Sequence, residues 1–217
     1  MTTSNLTHLK QLSFFFDFSD EELISLSKKV FFKKYPRNTI VITANEKSDS
    51  IYFILSGKAK SFITNHKGKQ VTLNEFNIDD VFGELAAICN VPRTASIRTT
   101  TSCELLVIEK EDFTSFYKHN LKASNKIVEL LAMNILKVTS DVEGFALNNV
   151  QERIFKALVS RANLINEGKK TVQITHTELA SITACSRETV TRALHELTKL
   201  GSINQVDKNC IEITIST

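Results

Sequence analysis

Short apolar runs separated by turn residues fill the sequence from about residue 30 to residue 108. Runs such as 51–55, 61–64 and 105–108 have the length of β-strands, and segments rich in Gly, Asn, Asp and Ser lie between them. Many short strands at regular spacing predict an antiparallel roll or barrel. The first half of the chain is therefore expected to form a β-roll domain.

After about residue 120 the apolar positions change to a helical period. They recur at spacings of three and four across three heptads, as in the a/d seam of a helix that packs lengthwise on another helix. A helix packed only on its own domain is the alternative, but so long a seam favours an equally long partner, and we expect a homodimer. The seam residues are Val128, Leu131, Ile135, Val138, Val142 and Phe145.

Two capping boxes mark helix starts on either side of these regions. Ser19, followed three residues later by Glu22, predicts a short helix over about 20–28. Asn149 with Glu152 predicts a new helix directly after the seam fades, so we place a hinge there. The expected domains are a β-roll domain at 1–119, a dimerisation helix and hinge at 120–148, and a third domain at 149–217.

The last third of the sequence predicts two helices joined by a tight turn. Thr175 and Glu178 form a third capping box, which opens a short helix over 178–183. Ala184 and Cys185 supply the turn.

Ser186 caps the second helix, over 187–200, and Gly201 ends it as glycine does at the C′ position. Strands at 203–206 and 210–215 follow as a hairpin. Together with the two helices they predict a winged helix-turn-helix.

The second of these helices carries charges away from its apolar stripe. Arg187 and Glu188 lie in its first turn and Arg192 follows one turn later. Arginine reads guanine O6 and N7 bidentately, and glutamate accepts from the cytosine amino group. Ser186, Thr189 and the first backbone amides are placed for phosphate contacts. An ordinary solvated face is the alternative, and the surrounding winged helix-turn-helix favours DNA binding.

A second polar cluster has the chemistry of a phosphate cradle. Gly83 allows the backbone to approach an anion, and Arg93 supplies a charge-assisted fork for a phosphate diester. Glu84 can accept from a sugar hydroxyl, Thr94 adds a hydroxyl, and Leu85 follows in the same turn. A glycine turn followed by a surface arginine is the alternative, and each half alone would be weak evidence.

Composition narrows the class of protein without identifying it. The 217 residues suit two modest domains, and 27 Lys+Arg against 24 Asp+Glu give a net charge of +3, too mild to reveal a nucleic-acid partner. No apolar run has the length of a membrane span, and residues 1–10 do not resemble a secretory signal. The four cysteines are scattered, so we expect free, mostly buried thiols in a cytoplasmic protein, with no metal site. A sensor or binder is favoured over an enzyme.

The helix-turn-helix residues resemble the DNA-binding motif of the cyclic-AMP receptor protein / FNR family. The similarity rests on Ile174-Thr175 with Glu178, on the run 185–190, and on Arg192. It implies that Arg187, Glu188 and Arg192 read a palindromic site of TGTGA type, with RNA polymerase as a further partner. His176 stands where the family often has an arginine for the DNA backbone. Ala184 replaces a common glycine, which matters only if the turn needs a positive φ.

Gly83-Glu84 and Arg93-Thr94-Ala95 resemble the phosphate-binding cassette of cyclic-nucleotide-binding domains. The resemblance implies an α+β chain that binds its effector between the β-roll and the long helix. Thr139 and Ser140 match a Thr-Ser pair that contacts the purine in the cyclic-AMP receptor branch. Thr94 follows the cassette arginine directly, and a threonine in this position is similar to the pattern of cyclic-GMP-selective domains. Cyclic AMP is the expected effector, and cyclic GMP stays open.

Three other functions are less favoured. An iron–sulfur sensor of the FNR branch needs clustered N-terminal cysteines, and none precedes Cys89. A haem sensor needs an axial ligand, and 120–147 contains no His or Cys. The sequence contains no catalytic or membrane segment for an attached enzyme or channel. A regulator that binds DNA without any ligand remains a further alternative, which the intact cassette disfavours.

Overall fold

The computed structural model describes residues 2–47, 49–164, 170–207 and 209–214. It divides into two compact units, one formed by 1–68 and 72–133 and the other by 69–71 and 134–217. Over the described residues, no helix is long and apolar enough to cross a membrane. The thiols are free, but the expectation that they are mostly buried is wrong, since only Cys103 is buried and Cys89 is exposed.

The N-terminal unit combines helices with a β-roll. Its helices are α1 (Thr2–Gln11), a 3₁₀ turn (Ser13–Phe15), α2 (Asp20–Ser27), α3 (Glu84–Cys89), α4 (Lys110–His119) and the start of α5 (Leu121–Leu147). Its strands are β1 (Val30–Tyr35), β2 (Ile40–Ile42), β3 (Ser50–Ser56), β4 (Ala59–Thr64), β5 (Gln70–Phe76), β6 (Val81–Phe82), β7 (Ser96–Thr99) and β8 (Cys103–Glu109). The capping box of Ser19 and Glu22 is confirmed at the start of α2.

The strands form two four-stranded sheets, in the orders β1-β8-β3-β6 and β2-β7-β4-β5. Strand β3 pairs antiparallel with β8, with Ile51 opposite Ile108 and Phe53 opposite Leu106. Antiparallel pairing of short strands confirms the predicted roll.

The unbroken apolar runs of β3 and β8 are buried on both faces of their sheet. Ile51 and Phe53 pack into a core shared with the helices. Tyr52 and Ile54, which point to the opposite face, pack into the interior of the roll. This explains why the sequence shows continuous apolar runs here instead of an alternating pattern.

Helix α5 is confirmed over 27 residues. Near its start, Ala123 and Ile127 are buried in the N-terminal core, and Leu131 packs partly against the same core. The seam residues Val128, Ile135, Val138 and Val142 are 60–65% exposed. The side chain of Phe145 lies outside the described residues. The seam is thus a largely uncovered apolar face in the single chain, and its partner stays a prediction.

The main segment of the C-terminal unit begins at Asn134, within α5. Its later elements are α6 (Val150–Arg161), β9 (Asn163–Leu164), β10 (Lys170–Gln173), α7 (His176–Ile182), α8 (Arg187–Lys199), β11 (Ile203–Asp207) and β12 (Cys210–Ile213). The strands form one sheet in the order β11-β12-β10-β9. The capping box of Asn149 and Glu152 is confirmed. So is the hairpin, although Lys208 and Ile215 lie outside the described residues. The sequence did not predict β9 and β10.

Candidate ligand and DNA-binding sites

The cradle residues come together around the buried side chain of Arg93, which is 4% exposed. Its Nη1 donates to the carbonyl oxygen of Gly83 at 2.9 Å, and its Nη2 donates to the carbonyl oxygen of Ser50 at 2.7 Å. One carboxylate oxygen of Asp49 lies 3.5 Å from Nη2. The arginine is therefore held by backbone carbonyls, with one exposed carboxylate as its counterion.

Gly83 meets two requirements of this packing. Its φ is +85°, and it directly precedes α3 as the N-cap residue. A Cβ at this position would lie 2.7 Å from Nη1 of Arg93 and 3.2 Å from the carbonyl oxygen of Ser50. Glycine is needed because an L side chain rarely adopts this φ and because Arg93 occupies the space where a Cβ would be.

The loop between β2 and β3 also holds the backbone of Arg93. The amide of Asn45 donates to the carbonyl of Arg93 at 2.8 Å, and the amide of Arg93 donates to the carbonyl of Glu46 at 2.9 Å. A third bond runs from the amide of Ala44 to Oγ of Ser96, at 3.0 Å. Both the main chain and the side chain of Arg93 are thus fixed before any ligand arrives.

Glu84 is buried beside the arginine, whereas the other two nominated side chains are exposed. Desolvation on burial raises the pKa of Glu84, while hydrogen bonds from the backbone amides of Glu84 and Leu85 and the charge of Arg93 oppose the rise. The role of Glu84 as an acceptor for a ligand hydroxyl stays a prediction. Leu85 and Thr94 lie at the surface.

An aromatic pair that the sequence did not predict lies beneath Arg93. The rings of Tyr52 and Phe82 stack with centroids 5.2 Å apart and an interplanar angle of 13°. The guanidinium carbon of Arg93 lies 6.0 Å from the centroid of the Tyr52 ring. Burial raises the pKa of the Tyr52 phenol. The position of Phe82 directly before Gly83 could have indicated an aromatic ring at the cradle. Nothing near Phe82 in the sequence indicated that it stacks on Tyr52.

Thr139 and Ser140 lie on α5 and are exposed. The hydroxyl of Thr139 donates to the carbonyl of Ile135 at 2.9 Å, one turn earlier in the same helix. Both residues belong to the C-terminal unit, whereas Gly83 and Arg93 belong to the N-terminal one. Their approach to the cradle stays a prediction.

Helix α8 separates a buried face from a charged face. Val190, Leu194 and Leu197 are buried in the C-terminal core, whereas Arg187, Glu188 and Arg192 are exposed. The apolar stripe fixes how the helix is rotated on its core, and so it fixes which side chains face outward.

Ser186 begins α8, and its Oγ accepts from the amide of Thr189 at 3.1 Å. Hydrogen bonds from the backbone amide of Glu188 and from Ser186 lower the pKa of the Glu188 carboxyl, and the charges of Arg187 and Arg192 act in the same direction. Glu188 is therefore ionised at neutral pH and acts as a hydrogen-bond acceptor. This charge state suits the amino group of cytosine.

The turn between α7 and α8 has a left-handed residue. Ala184 has φ +56°, and the amide of Cys185 donates to the carbonyl of Ala180 at 3.0 Å. This six-to-one bond is that of a Schellman motif, in which the left-handed residue is usually glycine. Gly201 occupies the equivalent position at the end of α8, with φ +72°. The turn does demand a positive φ, so the replacement of glycine by Ala184 carries strain.

A concavity of about 400 Å³ lies next to the start of α8. Arg187 and His176 line it together with Gln205 and Asn209, which belong to the wing. The sequence predicted the hairpin but did not nominate these two wing residues, because their distance from His176 depends on tertiary packing. The complete lining is Thr175, His176, Thr177, Arg187, Gln205 and Asn209.

Two family models match the chain. Residues 32–120 match the cyclic nucleotide-binding domain, and residues 152–215 match the Crp-like helix-turn-helix domain. The cyclic AMP receptor protein of Thermus thermophilus is 27% identical over 84% of each chain. The CRP-like cAMP-activated global transcriptional regulator of Mycobacterium tuberculosis is 26% identical over 87% of each chain.

Solved structures share the fold. The c-di-GMP responsive global regulator CLP of Xanthomonas campestris aligns with a TM-score of 0.79 at 20% identity, covering 92% of this chain and 100% of that one. A transcriptional regulator of the crp/fnr family from Eubacterium rectale aligns with a TM-score of 0.78 at 19% identity, covering 95% of each chain.

These findings define a transcription regulator that joins a cyclic nucleotide-binding domain to a helix-turn-helix DNA-binding domain. The chain belongs to the cyclic-AMP receptor protein / FNR family. The family and the α+β fold expected from the sequence are both confirmed.

Proposed function

We propose that the protein is a homodimeric transcription regulator that cyclic AMP switches to its DNA-binding form. The observation that carries this proposal is the cradle, in which Arg93 is buried, oriented and already partnered by carbonyls. A fully formed arginine site next to a left-handed glycine fits a ligand with one phosphate diester. The relatives named for cyclic AMP support that effector.

The guanidinium has donors for the incoming phosphate. Arginine carries five N–H groups, and the bonds to Gly83 and Ser50 use two of them. A cyclic phosphate brings a full negative charge to a cation whose ion-pair partner, the carboxylate of Asp49, is exposed to solvent. The phosphate therefore binds at Gly83 and Arg93, while Glu84 accepts from the ribose hydroxyl and Leu85 and Thr94 border the site.

The base then contacts α5 through Thr139 and Ser140, Thr139 serving its own protomer and Ser140 the neighbour. The exposed apolar face of α5 supports the dimer, since its branched side chains are 60–65% exposed and burying apolar surface contributes about 25 cal/mol per Å². The bound nucleotide favours one arrangement of the two α5 helices at the hinge near residues 144–149. The two recognition helices then reach a separation of about 34–36 Å, one turn of DNA. Coupling requires that the nucleotide favour this arrangement over the resting one.

Helix α8 and the residues around it make the DNA contacts. Arg187, Glu188 and Arg192 read a palindromic TGTGA-type site, because all three are exposed on one helix whose rotation the core fixes. Ser186 and Thr189 contact phosphates at the start of the same helix. RNA polymerase is the further partner, and the cytoplasm is the compartment of action.

Cyclic GMP is the second candidate effector. The observation in its favour is Thr94, an exposed hydroxyl directly after the buried arginine. That hydroxyl has access to a base bound above the phosphate.

The deciding experiment is calorimetric titration of the full chain with cyclic AMP and, separately, with cyclic GMP, repeated on Arg93→Ala. Saturable binding of one nucleotide that is lost in the variant supports the sensor and identifies its effector. Failure of both nucleotides to bind wild-type protein overturns control by a cyclic nucleotide. It would leave the DNA-binding function of α8 to be tested with duplex alone.

A further inference from the structure

A chain of hydrogen bonds leads from the end of α5 to the turn of the helix-turn-helix, and Arg153 of α6 is its central member. Nη1 of Arg153 donates to the carbonyl oxygen of Asn148 at 3.2 Å, and Nη2 donates to Sγ of Cys185 at 3.6 Å. The thiol in turn donates to the carbonyl oxygen of Thr183 at 3.3 Å. The direction of each bond is fixed, because a guanidinium only donates and a carbonyl oxygen only accepts. One half-buried side chain therefore contacts both the residue that follows α5 and the turn that precedes α8.

At the hinge, every polar group of Asn148 takes part in a hydrogen bond. Its backbone amide and its Nδ2 both donate to the carbonyl oxygen of Gly144, at 3.2 and 3.0 Å. Its Oδ1 accepts from Nζ of Lys156 at 3.1 Å, and its carbonyl oxygen accepts from Arg153. Asn148 thus connects the last turn of α5 with α6. A change in the direction of α5 relative to α6 has to break or remake these bonds.

At the other end of the chain of bonds, Cys185 lies in the turn that leads into α8. It follows Ala184, whose φ is +56°, and it lies directly before the N-cap residue of α8. The preceding residue, Thr183, is 3% exposed, and its hydroxyl donates to a carbonyl of α7 at 2.7 Å. The turn is therefore held by α7 on one side and by Arg153 of α6 on the other.

The bonds of Arg153 supply a constraint that apolar packing does not supply. The apolar stripe of α8 determines which face of the helix is buried, but apolar contacts are not directional. The donors of a guanidinium have a rigid planar geometry. A small shift of the start of α8 would keep most of the apolar contacts and would still misalign the bond to Cys185.

We propose that Arg153 is a positioning residue, which couples the arrangement of the α5 pair to the placement of Arg187 and Glu188 for DNA reading. The inference rests on the proposed switch by cyclic AMP. An effector changes DNA affinity only through contacts that differ between the two arrangements of the protein. The bonds of Arg153 are contacts of this kind, because one is made at the hinge and the other at the entry to the recognition helix. Arg153 acts through the turn and needs no contact of its own with nucleotide or DNA.

The test measures fluorescence anisotropy of a labelled TGTGA palindrome with the full chain, in the presence and in the absence of saturating cyclic AMP. The ratio of the two duplex affinities is the coupling factor. Arg153→Met keeps an apolar stem and removes both donors, so the coupling factor should fall about fivefold. By linkage, duplex DNA should then raise the affinity for cyclic AMP by the same reduced factor, which calorimetry with and without duplex measures.

Matched variants separate the bonds from the charge. Arg161→Met removes the same charge from α6, and it should keep the wild-type coupling factor, because Nη1 of Arg161 bonds to Ala157 and Ser160 within its own helix. Cys185→Ala removes the acceptor in the turn and should lower the factor, whereas Cys185→Ser keeps a donor and an acceptor and should retain most of it. The double variant of Arg153→Met with Cys185→Ala should fall no further than Arg153→Met alone, because both changes remove the same link.

The outcomes separate this inference from the proposed function. If Arg153→Met weakens duplex binding equally with and without cyclic AMP, its role is structural only, and the inference is overturned while the proposed function stands. An equal fall of the coupling factor in Arg161→Met, or an unchanged factor in Cys185→Ala, also overturns the inference. The Cys185 variants decide alone if Arg153→Met does not fold. Absence of any effect of cyclic AMP on duplex binding by wild-type protein overturns the proposed switch and the inference together.

Discussion

The cradle and the recognition helix each depend on an arginine, and the two arginines are placed in opposite ways. Arg93 is 4% exposed and donates to two backbone carbonyls. Arg187 is exposed in the first turn of a helix whose buried face is made by other residues. Arg93 therefore contributes to the stability of the fold, whereas Arg187 lies on the surface of a fold that other residues stabilise. Changes to the cradle should therefore alter stability and ligand binding together, while changes to the helix surface should alter DNA reading alone.

The largest expected effect is that of Arg93→Ala. The carbonyls of Gly83 and Ser50 lose their donor, and the unfolding free energy should fall by about 2–4 kcal/mol. Cyclic-nucleotide affinity should fall by about a hundredfold or more, because the phosphate loses its cation. Denaturant unfolding and calorimetry measure the two effects. Arg98→Ala is the control, since Arg98 lies over the ring of Phe62 and outside the cradle. Wild-type affinity in Arg93→Ala would contradict the assignment.

Gly83→Ala should come next, at about 2–3 kcal/mol of stability, since a left-handed alanine is strained and its Cβ meets Arg93. Gly68→Ala separates these causes. Gly68 has a similar φ of +78°, but nothing lies within 4 Å of the position of its Cβ. It should lose only about 1 kcal/mol in thermal unfolding and keep full nucleotide affinity. Equal losses in the two variants would show that the clash with Arg93 contributes nothing.

Arg187→Ala should leave the unfolding free energy within about 0.5 kcal/mol of wild type, because the residue is exposed. It should lower the preference for one base pair of the site by about 1–3 kcal/mol. Competition binding with single-base variants of the duplex measures this preference. Lys199→Ala, at the far end of α8, is the matched control. An unchanged base preference in Arg187→Ala would show that Arg187 does not read a base.

The smallest expected effect concerns the turn before α8. Ala184→Gly should raise the unfolding free energy by about 0.5–1 kcal/mol, because glycine adopts the observed φ of +56° without strain. Gly201→Ala, the reverse change in the same motif, should lower it by about 1 kcal/mol. Thermal unfolding of the two variants checks both signs. A less stable Ala184→Gly would show that backbone entropy outweighs the strain at this turn.

The sequence predicted local features more successfully than distant ones. The caps at Ser19, Asn149 and Thr175 could be read because each bond spans three residues. The turn at Ala184 could be identified, but its φ could not, since alanine usually avoids that region.

The features that the sequence did not reveal join distant segments. The clamp of Asn45 and Glu46 on Arg93 spans more than forty residues, and the stack of Tyr52 on Phe82 spans thirty. The added strands β9 and β10 are short and lack a clear period, so only their pairing identifies them.

The stack beneath Arg93 also allows ligand binding in the cradle to be followed by intrinsic fluorescence. The chain contains no tryptophan and three tyrosines, so tyrosine dominates its intrinsic ultraviolet emission. Tyr52 is one of the three, and its ring centroid lies 6.0 Å from the guanidinium carbon that the phosphate would approach. The emission of the unmodified chain should therefore change when the cradle fills, without any attached dye. The emission of a single tryptophan introduced elsewhere would be free of any other tryptophan signal, because the chain contains none.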